Sequence, residues 1–307
     1  EQKTFIAELA DGRVWGANGA VITSDDYLLE DVSREFGKYG GVFGKAHSVF
    51  GRMRLGKIEY YNRNVAVLST VGCNNYYHWM IDVLPRIAIL EEAGIKEQID
   101  FFIIDYSGLP FQKESLLKAG ISMQKIIRSN DYWKFHIQAK KLFVPSLPSE
   151  LSSVNGWQIN WLRNIFSASI NKTGINQSKI YVSRKKADNR KLLNEDELIV
   201  YLRGNGFIVH YPENHSIEKN ASVFASAEVI VSLHGAGNTN WVFAAKGVNI
   251  IEIFPPKQIY PNYWYIAALL NHRYAYIING GERLQAGEDP VMNKSNEDST
   301  VYVAALA

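Results

Sequence analysis

Three short stretches of the chain concentrate the residue types that do chemistry. The first is Asn74-Asn75-Tyr76-Tyr77-His78-Trp79, which leads on to Asp82 and Arg86. His78, Asp82 and Arg86 recur at i, i+4 and i+8, so on a helix they share one face. That face would carry a proton acceptor, an acid able to orient it, and a cation. A histidine of ordinary pKa, ~6.5, accepts a proton at neutral pH, and a carboxylate partner raises its basicity. Asp82 is the alternative base. The same spacing also fits a solvated polar face, or a buried pair that only holds the helix in place. Pro85 removes a hydrogen bond to the carbonyl four residues earlier, so a kink is expected there.

The second stretch is His234-Gly235-Ala236-Gly237-Asn238-Thr239-Asn240, between an expected strand and an expected helix. Glycines there let backbone N–H groups approach a phosphate, and a helix N-terminus adds partial positive charge. A tight turn with an ordinary cap would look the same. The third stretch is Ser183-Arg184-Lys185-Lys186, with Arg190-Lys191 soon after. Cations at a strand's carboxyl end suit a diphosphate, which arginine grips in a bidentate fork; a solvated basic loop is the plainer reading. The glycine run resembles the start of a dinucleotide fingerprint, but Asn240 stands where the third glycine belongs. Glu252, near the end of the next strand, fits the ribose of a mononucleotide at least as well. A nicotinamide-linked sugar-nucleotide enzyme is therefore a minor alternative.

The elements that must position these residues alternate between strand and helix. Residues 64–70, 99–105, 125–128 and 139–144 read as strands, with helices over 75–92 and 110–118. A proline- and serine-rich segment, 145–155, reads as an interdomain crossover leading into a helix over 157–170. Strands follow at 179–183, 207–211, 229–233 and 248–254, with helices from Asn194 to Gly204 and over 216–225 and 238–245. Asn194 and Glu197 have the spacing of a capping box, and a further strand is expected at 300–303. The first sixty residues read only as short strands and turns. Such alternation implies parallel βαβ units covered on both faces. We therefore expect two α/β domains, 1–150 and 151–307, with the cleft between them as the ligand site.

The 307 residues, 47% of them apolar, are enough for full cores. Lysine and arginine number 33 against 31 acids, a net charge of +2, which argues against a dedicated nucleic-acid binder. The single cysteine, Cys73, excludes an intrachain disulfide and a multi-cysteine zinc site. No Asp-x-Asp occurs, so the usual carboxylate clamp for a metal bound to a diphosphate is missing. Neither a nucleophile elbow nor a P-loop motif is found. No stretch approaches the ~20 apolar residues of a membrane span, and no secretory signal opens the chain. The expectation is a cytoplasmic protein, with peripheral association at the inner face of a membrane allowed. The chain opens on Glu1 rather than methionine, and a closing helix is expected beyond Ala307.

The stretches 75–86 (NYYHWMIDVLPR), 181–190 with 193–197 (YVSRKKADNR, LNEDE), 234–240 and 250–255 (IIEIFP) together resemble glycosyltransferase family 61, in order and spacing, from about residue 13 to residue 280. The resemblance implies a GT-B-like α/β fold, two Rossmann-like domains facing across a cleft. Residues 1–150 would form the acceptor-binding domain and 151–307 the nucleotide-sugar-binding domain. It also implies inverting, metal-independent transfer from a nucleotide sugar, commonly a UDP-sugar, to a glycan hydroxyl, as in polysaccharide biosynthesis. The nucleotide sugar is a co-substrate and no cofactor is implied. On this reading His78 is the base and Asp82 its orienter. Arg184, Lys186, Arg190, His234, Gly235, Ala236, Gly237, Asn238, Thr239 and Glu252 meet the donor. Asn75, Tyr76, Tyr77, Trp79 and Arg86 meet the acceptor. Asn238 departs from the leucine of many relatives, and Ala245-Lys246-Gly247 from a proline-bearing turn. A non-catalytic nucleotide- or glycan-binding module with the same fold is the alternative of a different class.

Overall fold

The computed structural model describes residues 3–37, 40–42, 44–131, 134–150, 153–170, 178–188, 190–283 and 298–303. The chain divides into two compact units, Glu1–Leu162 and Arg163–Ala307. The boundary falls within a helix, later than the proline- and serine-rich segment. That segment is tied to the first unit: the Ser146 amide donates to the Phe5 carbonyl at 2.9 Å, and the Asn155 side chain donates to the Pro148 carbonyl at 3.1 Å.

In the first unit, β1 (Ile6–Ala10), β2 (Arg13–Trp15) and β3 (Ala20–Ile22) precede a small antiparallel hairpin of β4 (Glu35–Gly37) and β5 (Gly40–Val42). The main strands follow: β6 (Glu59–Val67), β7 (Phe101–Ile104), β8 (Ile126–Arg128) and β9 (His136–Pro145). They run parallel in the order β9-β6-β7-β8. Their inner residues Val65, Val67, Ile103, Leu142 and Val144 are fully buried, because helices and loops cover both faces. Contrary to the expectation from sequence, the sheet is not parallel throughout. β9 is ten residues long and carries β2 antiparallel along its first half and β1 along its second. Three-residue strands such as β2 and β3 are too short to show a period of two, which is why they read only as turns and short runs.

The helices of this unit are α1 (Tyr76–His78), α2 (Arg86–Glu92), α3 (Pro110–Lys118) and α4 (Gly156–Ile165), the last crossing the unit boundary. The second unit continues with α5 (Ser167–Ile170). Its sheet has β10 (Ser178–Val182), β11 (Phe207–His210), β12 (Ala227–Leu233), β13 (Asn249–Phe254) and β14 (Arg273–Ile278), all parallel, in the order β11-β10-β12-β13-β14. Helices α6 (Glu195–Gly204), α7 (Ile217–Ala225) and α8 (Asn262–Leu269) cover it. Ser216 caps α7 by accepting from the Lys219 amide. Two sequence expectations change here. Asn194 makes no cap; its amide exchanges hydrogen bonds with the backbone of Val301 at 2.8 and 3.0 Å. In place of a strand at 300–303, Ser299 and Thr300 form single bridges to Leu192 and Gly280.

Both sheets have a point where the chain reverses its direction of travel, between β6 and β9 in the first unit and between β10 and β12 in the second. Parallel sheets leave a crevice outside the carboxyl ends of the strands at such a point. The sequence-selected residues follow β6 in one unit, and β10 and β12 in the other. Among the described residues no helix is long and apolar enough to cross a membrane.

Candidate functional site

In the first unit, Asn75 opens α1 as its N-cap, its side-chain oxygen accepting from the Tyr77 amide at 2.9 Å. His78 and Asp82 then meet as their spacing requires, Nδ1 to Oδ2 at 2.6 Å. The Asp82 side chain is 2% exposed and that of His78 16%, so the carboxylate sits behind the ring and the ring reaches solvent. With Nδ1 turned to Asp82, Nε2 is the nitrogen left to face a substrate. Three contacts fix the ring. Gly72 lies against it at φ 79°, where a Cβ would come within 2.7 Å of His78 Cδ2. Phe36 and Tyr77 meet it edge-on at 5.6 and 5.3 Å. Behind the pair, Asp82 Oδ1 is buried with no hydrogen-bond partner among the described residues. The buried Arg34 guanidinium faces the same carboxylate and Glu150; burial lowers its pKa and the two acids oppose the shift.

The kink expected at Pro85 is a wide turn of helix over Trp79–Val83, in which the Leu84 amide bonds the Trp79 carbonyl at 2.9 Å. Such π-turns often mark functional sites. The Ile81 carbonyl, which Pro85 cannot serve, accepts instead from Gln158 Nε2 at 2.8 Å. The break therefore costs no unsatisfied acceptor at this position.

Not every residue expected at the acceptor surface is there. Trp79 is fully buried, and its indole donates to Ser115 Oγ at 2.8 Å. Tyr77 is 3% exposed. Arg86 is fully buried at the switch point of the sheet. It donates to the Ser69 carbonyl at 2.8 Å and to the Pro145 carbonyl through two nitrogens, at 2.5 and 3.2 Å. Its guanidinium clamps the carboxyl ends of β6 and β9 and does not meet an acceptor. Asn75 is exposed and Tyr76 half-buried, so these two remain beside His78 at the surface. Gln112 supports the turn before them, donating to the Cys73 carbonyl at 3.0 Å and to Asn74 Oδ1 at 3.3 Å.

In the second unit, the loops after β10 and β12 come together. The Arg184 guanidinium lies across Gly235, so close that a Cβ there would stand 1.7 Å from Nη1. Arg190 is its like-charged neighbour. Burial, reinforced by Arg190, pulls Arg184 down to about 10, still protonated at neutral pH. His234 belongs to the same group: burial lowers its pKa, Glu252 opposes this, and both arginines push it further down. The turn itself is a 3₁₀-helix, Ala236–Phe243, in place of the α-helix expected over 238–245. Its first amides, those of Ala236 and Gly237, have no intrahelical acceptor, as at any helix start.

The rest of the expected donor set is placed differently. Lys186 is exposed and bonds Asn214 Oδ1 at 2.8 Å beside the Tyr211 ring. Asn238 and Thr239 are buried, at 1% and 0% exposure, and face inward. Glu252 is fully buried and does not reach a ribose. Its Oε1 accepts from His234 Nδ1 at 2.7 Å and from Asn238 Nδ2 at 3.3 Å, and its Oε2 from the Tyr274 hydroxyl at 2.7 Å. It backs the glycine turn from inside the sheet.

Sequence reasoning missed Tyr274 and Glu195. Glu195 Oε1 accepts from Tyr181 at 2.9 Å, from Ser183 Oγ at 2.6 Å and from the Arg184 amide at 3.3 Å, which fixes the strand end from which Arg184 projects. Its local signal is that of an acid in the first turn of a helix, which the helix dipole favours; the partners that give Glu195 its role lie on β10 and just after it.

Comparison with known proteins fits this geometry. The family model described as Glycosyltransferase 61 matches residues 76–251, more than half of the chain. No curated protein matches it. The match begins at the helix that carries His78 and Asp82 and runs through Arg184, Arg190 and the turn at Gly235 to the strand that holds Glu252. The chain therefore belongs to glycosyltransferase family 61 and is a glycosyltransferase.

Proposed function

We propose that the protein is an inverting enzyme of GT-B type that moves a sugar from a UDP-sugar to a hydroxyl of a glycan acceptor, in polysaccharide biosynthesis, without a metal. The observation that carries the donor half is the packing of the Arg184 guanidinium on Gly235, with Arg190 and His234 beside it, at the switch point of the second sheet. Two like charges held together in a largely buried place repel, and an anion that joins them relieves the repulsion. A diphosphate leaving group has the charge to do so, and the arginines then neutralise what develops on it, the part a divalent metal plays elsewhere.

The acceptor half rests on His78. Its Nε2 removes the proton of the attacking hydroxyl while Asp82 holds Nδ1–H and stabilises the imidazolium that forms. The hydroxyl oxygen attacks the anomeric carbon opposite the diphosphate, the carbon–oxygen bond to the diphosphate breaks, and the nucleoside diphosphate leaves. Asn75 and Tyr76 flank His78 at the surface and are the acceptor contacts that remain.

The test is a panel of nucleotide sugars, screened first by thermal shift and then for nucleotide release with oligosaccharide acceptors. UDP and its sugars should raise the melting temperature more than CMP-sugars do, since binding to the native state stabilises it. Release should continue in EDTA. Failure of every nucleotide to bind would end the donor assignment; full loss in EDTA, restored by manganese, would end the metal-free mechanism.

A further inference from the structure

The buried network under the glycine turn does more than support it, and the role assigned to it rests on the donor reading of the second unit. Glu252 has three donors on its two oxygens, from three different elements: His234 at the end of β12, Asn238 in the turn, and Tyr274 on β14. Phe254 stacks on the His234 ring at 4.9 Å, and Tyr260 and Tyr263 lie at 6.4 and 5.1 Å. The Asn238 amide is fixed by Glu252, while its Oδ1 is buried without a partner among the described residues. His234 Nδ1 is committed to the carboxylate, and Nε2 makes no hydrogen bond among the described residues. The charged and titratable groups that face His234 are Glu252 and Tyr274 from the sheet, Tyr260 and Tyr263 from the segment after β13 and from α8, and Arg184 and Arg190 from the loop after β10.

We infer that Glu252, braced by Tyr274 and Asn238, is a positioning residue that fixes His234 as its Nδ1–H tautomer and makes His234 the group that takes up a proton when a diphosphate reaches Arg184 and Arg190. With no anion bound, burial and the two guanidiniums disfavour a third positive charge, so the imidazole is neutral. A diphosphate cancels the guanidinium charge. The Glu252 carboxylate then favours the imidazolium, a proton from solvent adds to Nε2, and Nε2–H donates a hydrogen bond to a phosphate oxygen. No covalent bond between heavy atoms is made or broken in this step. It adds a third donor to the leaving group, and it couples donor affinity to pH. Affinity falls as pH rises through the pKa that His234 has in the complex.

The experiment is calorimetry of the whole protein with UDP, and separately with inorganic pyrophosphate, at one pH in buffers of different ionisation heat. The buffer dependence gives the number of protons taken up. Wild type should show uptake approaching one proton per UDP. Glu252→Gln should remove most of it, and Tyr274→Phe should reduce it with the fold intact. Selective ¹⁵N-histidine spectra should show His234 neutral and protonated on Nδ1 in the free wild type, with the other tautomer gaining in Glu252→Gln. A merely structural role for Glu252 would lower stability or affinity but leave the proton count of the bound fraction unchanged, which overturns the inference. So does binding of UDP by wild type without uptake. If neither UDP nor pyrophosphate binds wild type, the donor reading itself has failed. Should Glu252→Gln not fold, Tyr274→Phe and the wild-type tautomer decide the matter.

Discussion

Replacing Gly235 by alanine separates the anion site from the fold. The backbone there has φ 173°, which any residue adopts, so the substitution adds no conformational strain. The added methyl would stand 1.7 Å from Arg184 Nη1, 2.7 Å from Cζ and 3.2 Å from Cδ. Carbon and nitrogen rest at about 3.5 Å, so the guanidinium must withdraw by at least ~1.8 Å. It is the far end of a long side chain, and moving it leaves the packed sheet in place. A charge-assisted fork to phosphate is worth about 1.5–3 kcal/mol, equivalent to ~10- to 150-fold in affinity. UDP binding measured by calorimetry should weaken by that factor, with a melting temperature close to wild type. Gly237→Ala is the control, because its nearest contact would be Pro212 Cγ at 3.5 Å, an ordinary distance. Wild-type affinity in Gly235→Ala would refute the placement of Arg184, and equal losses in both variants would refute the distinction between the two glycines.

Other outcomes rest on the same structure. His78→Ala should lower kcat by about 10²–10⁴-fold while the UDP dissociation constant stays within about twofold; near-normal turnover would pass the role of base to Asp82. Arg86→Ala should cost about 3–5 kcal/mol in urea denaturation, since it opens a buried cavity and strips the Ser69 and Pro145 carbonyls of their donor; a loss under ~1 kcal/mol would mean that the clamp contributes little. Acid should destabilise the protein through His272, which burial holds down at about 4 against an ordinary 6.5. Above ~6.5 neither state is protonated there; between that value and 4 only the unfolded chain takes the proton, so stability falls as pH drops, by about 2 kcal/mol between pH 7 and 5. In His272→Leu that part of the pH slope should disappear, and an unchanged slope would show that His272 is not its source.

Much of the molecule is legible in its sequence, and the pattern of success has a physical basis. Helix α3 starts at Pro110 and ends at Lys118 as read from sequence, because a proline at the first helical position and a glycine after the end are local signals. The buried parallel strands stand out as β-branched runs. The His78–Asp82 pair is legible because i, i+4 contact is a property of one helix. What is not legible depends on contacts between segments far apart in sequence. Glu252 and Asn238 read as ligand contacts because they sit at strand ends and turns, but which side of the sheet an end faces is fixed only when β14 brings Tyr274 alongside. Arg86 is a similar case: a cation on a polar helix stripe reads as a surface group until β9 arrives with the Pro145 carbonyl.

The two units each carry a histidine bonded through Nδ1 to a carboxylate, at 2.6 Å in His78–Asp82 and 2.7 Å in His234–Glu252. Equal geometry does not make them equivalent, since the surroundings decide what each can do. His78 opens to solvent, and the charge that acts on its partner Asp82 is the buried guanidinium of Arg34. Such a ring can gain a proton from a hydroxyl and lose it to water in each turnover. His234 is buried and stands beside two guanidiniums, so a positive charge there is opposed until an anion arrives. A base that must work on a neutral hydroxyl cannot depend on such an anion, whereas a donor to a leaving diphosphate needs it. Exchanging the roles therefore fails on electrostatics, and kcat/KM of the double variant His78→Ala with Tyr274→Phe, set against the two single variants, tests the division of roles. If the two histidines contribute independently to the one displacement, at the attacking hydroxyl and at the leaving diphosphate, the losses in log kcat/KM should add; if one relay serves both, the second substitution should cost almost nothing.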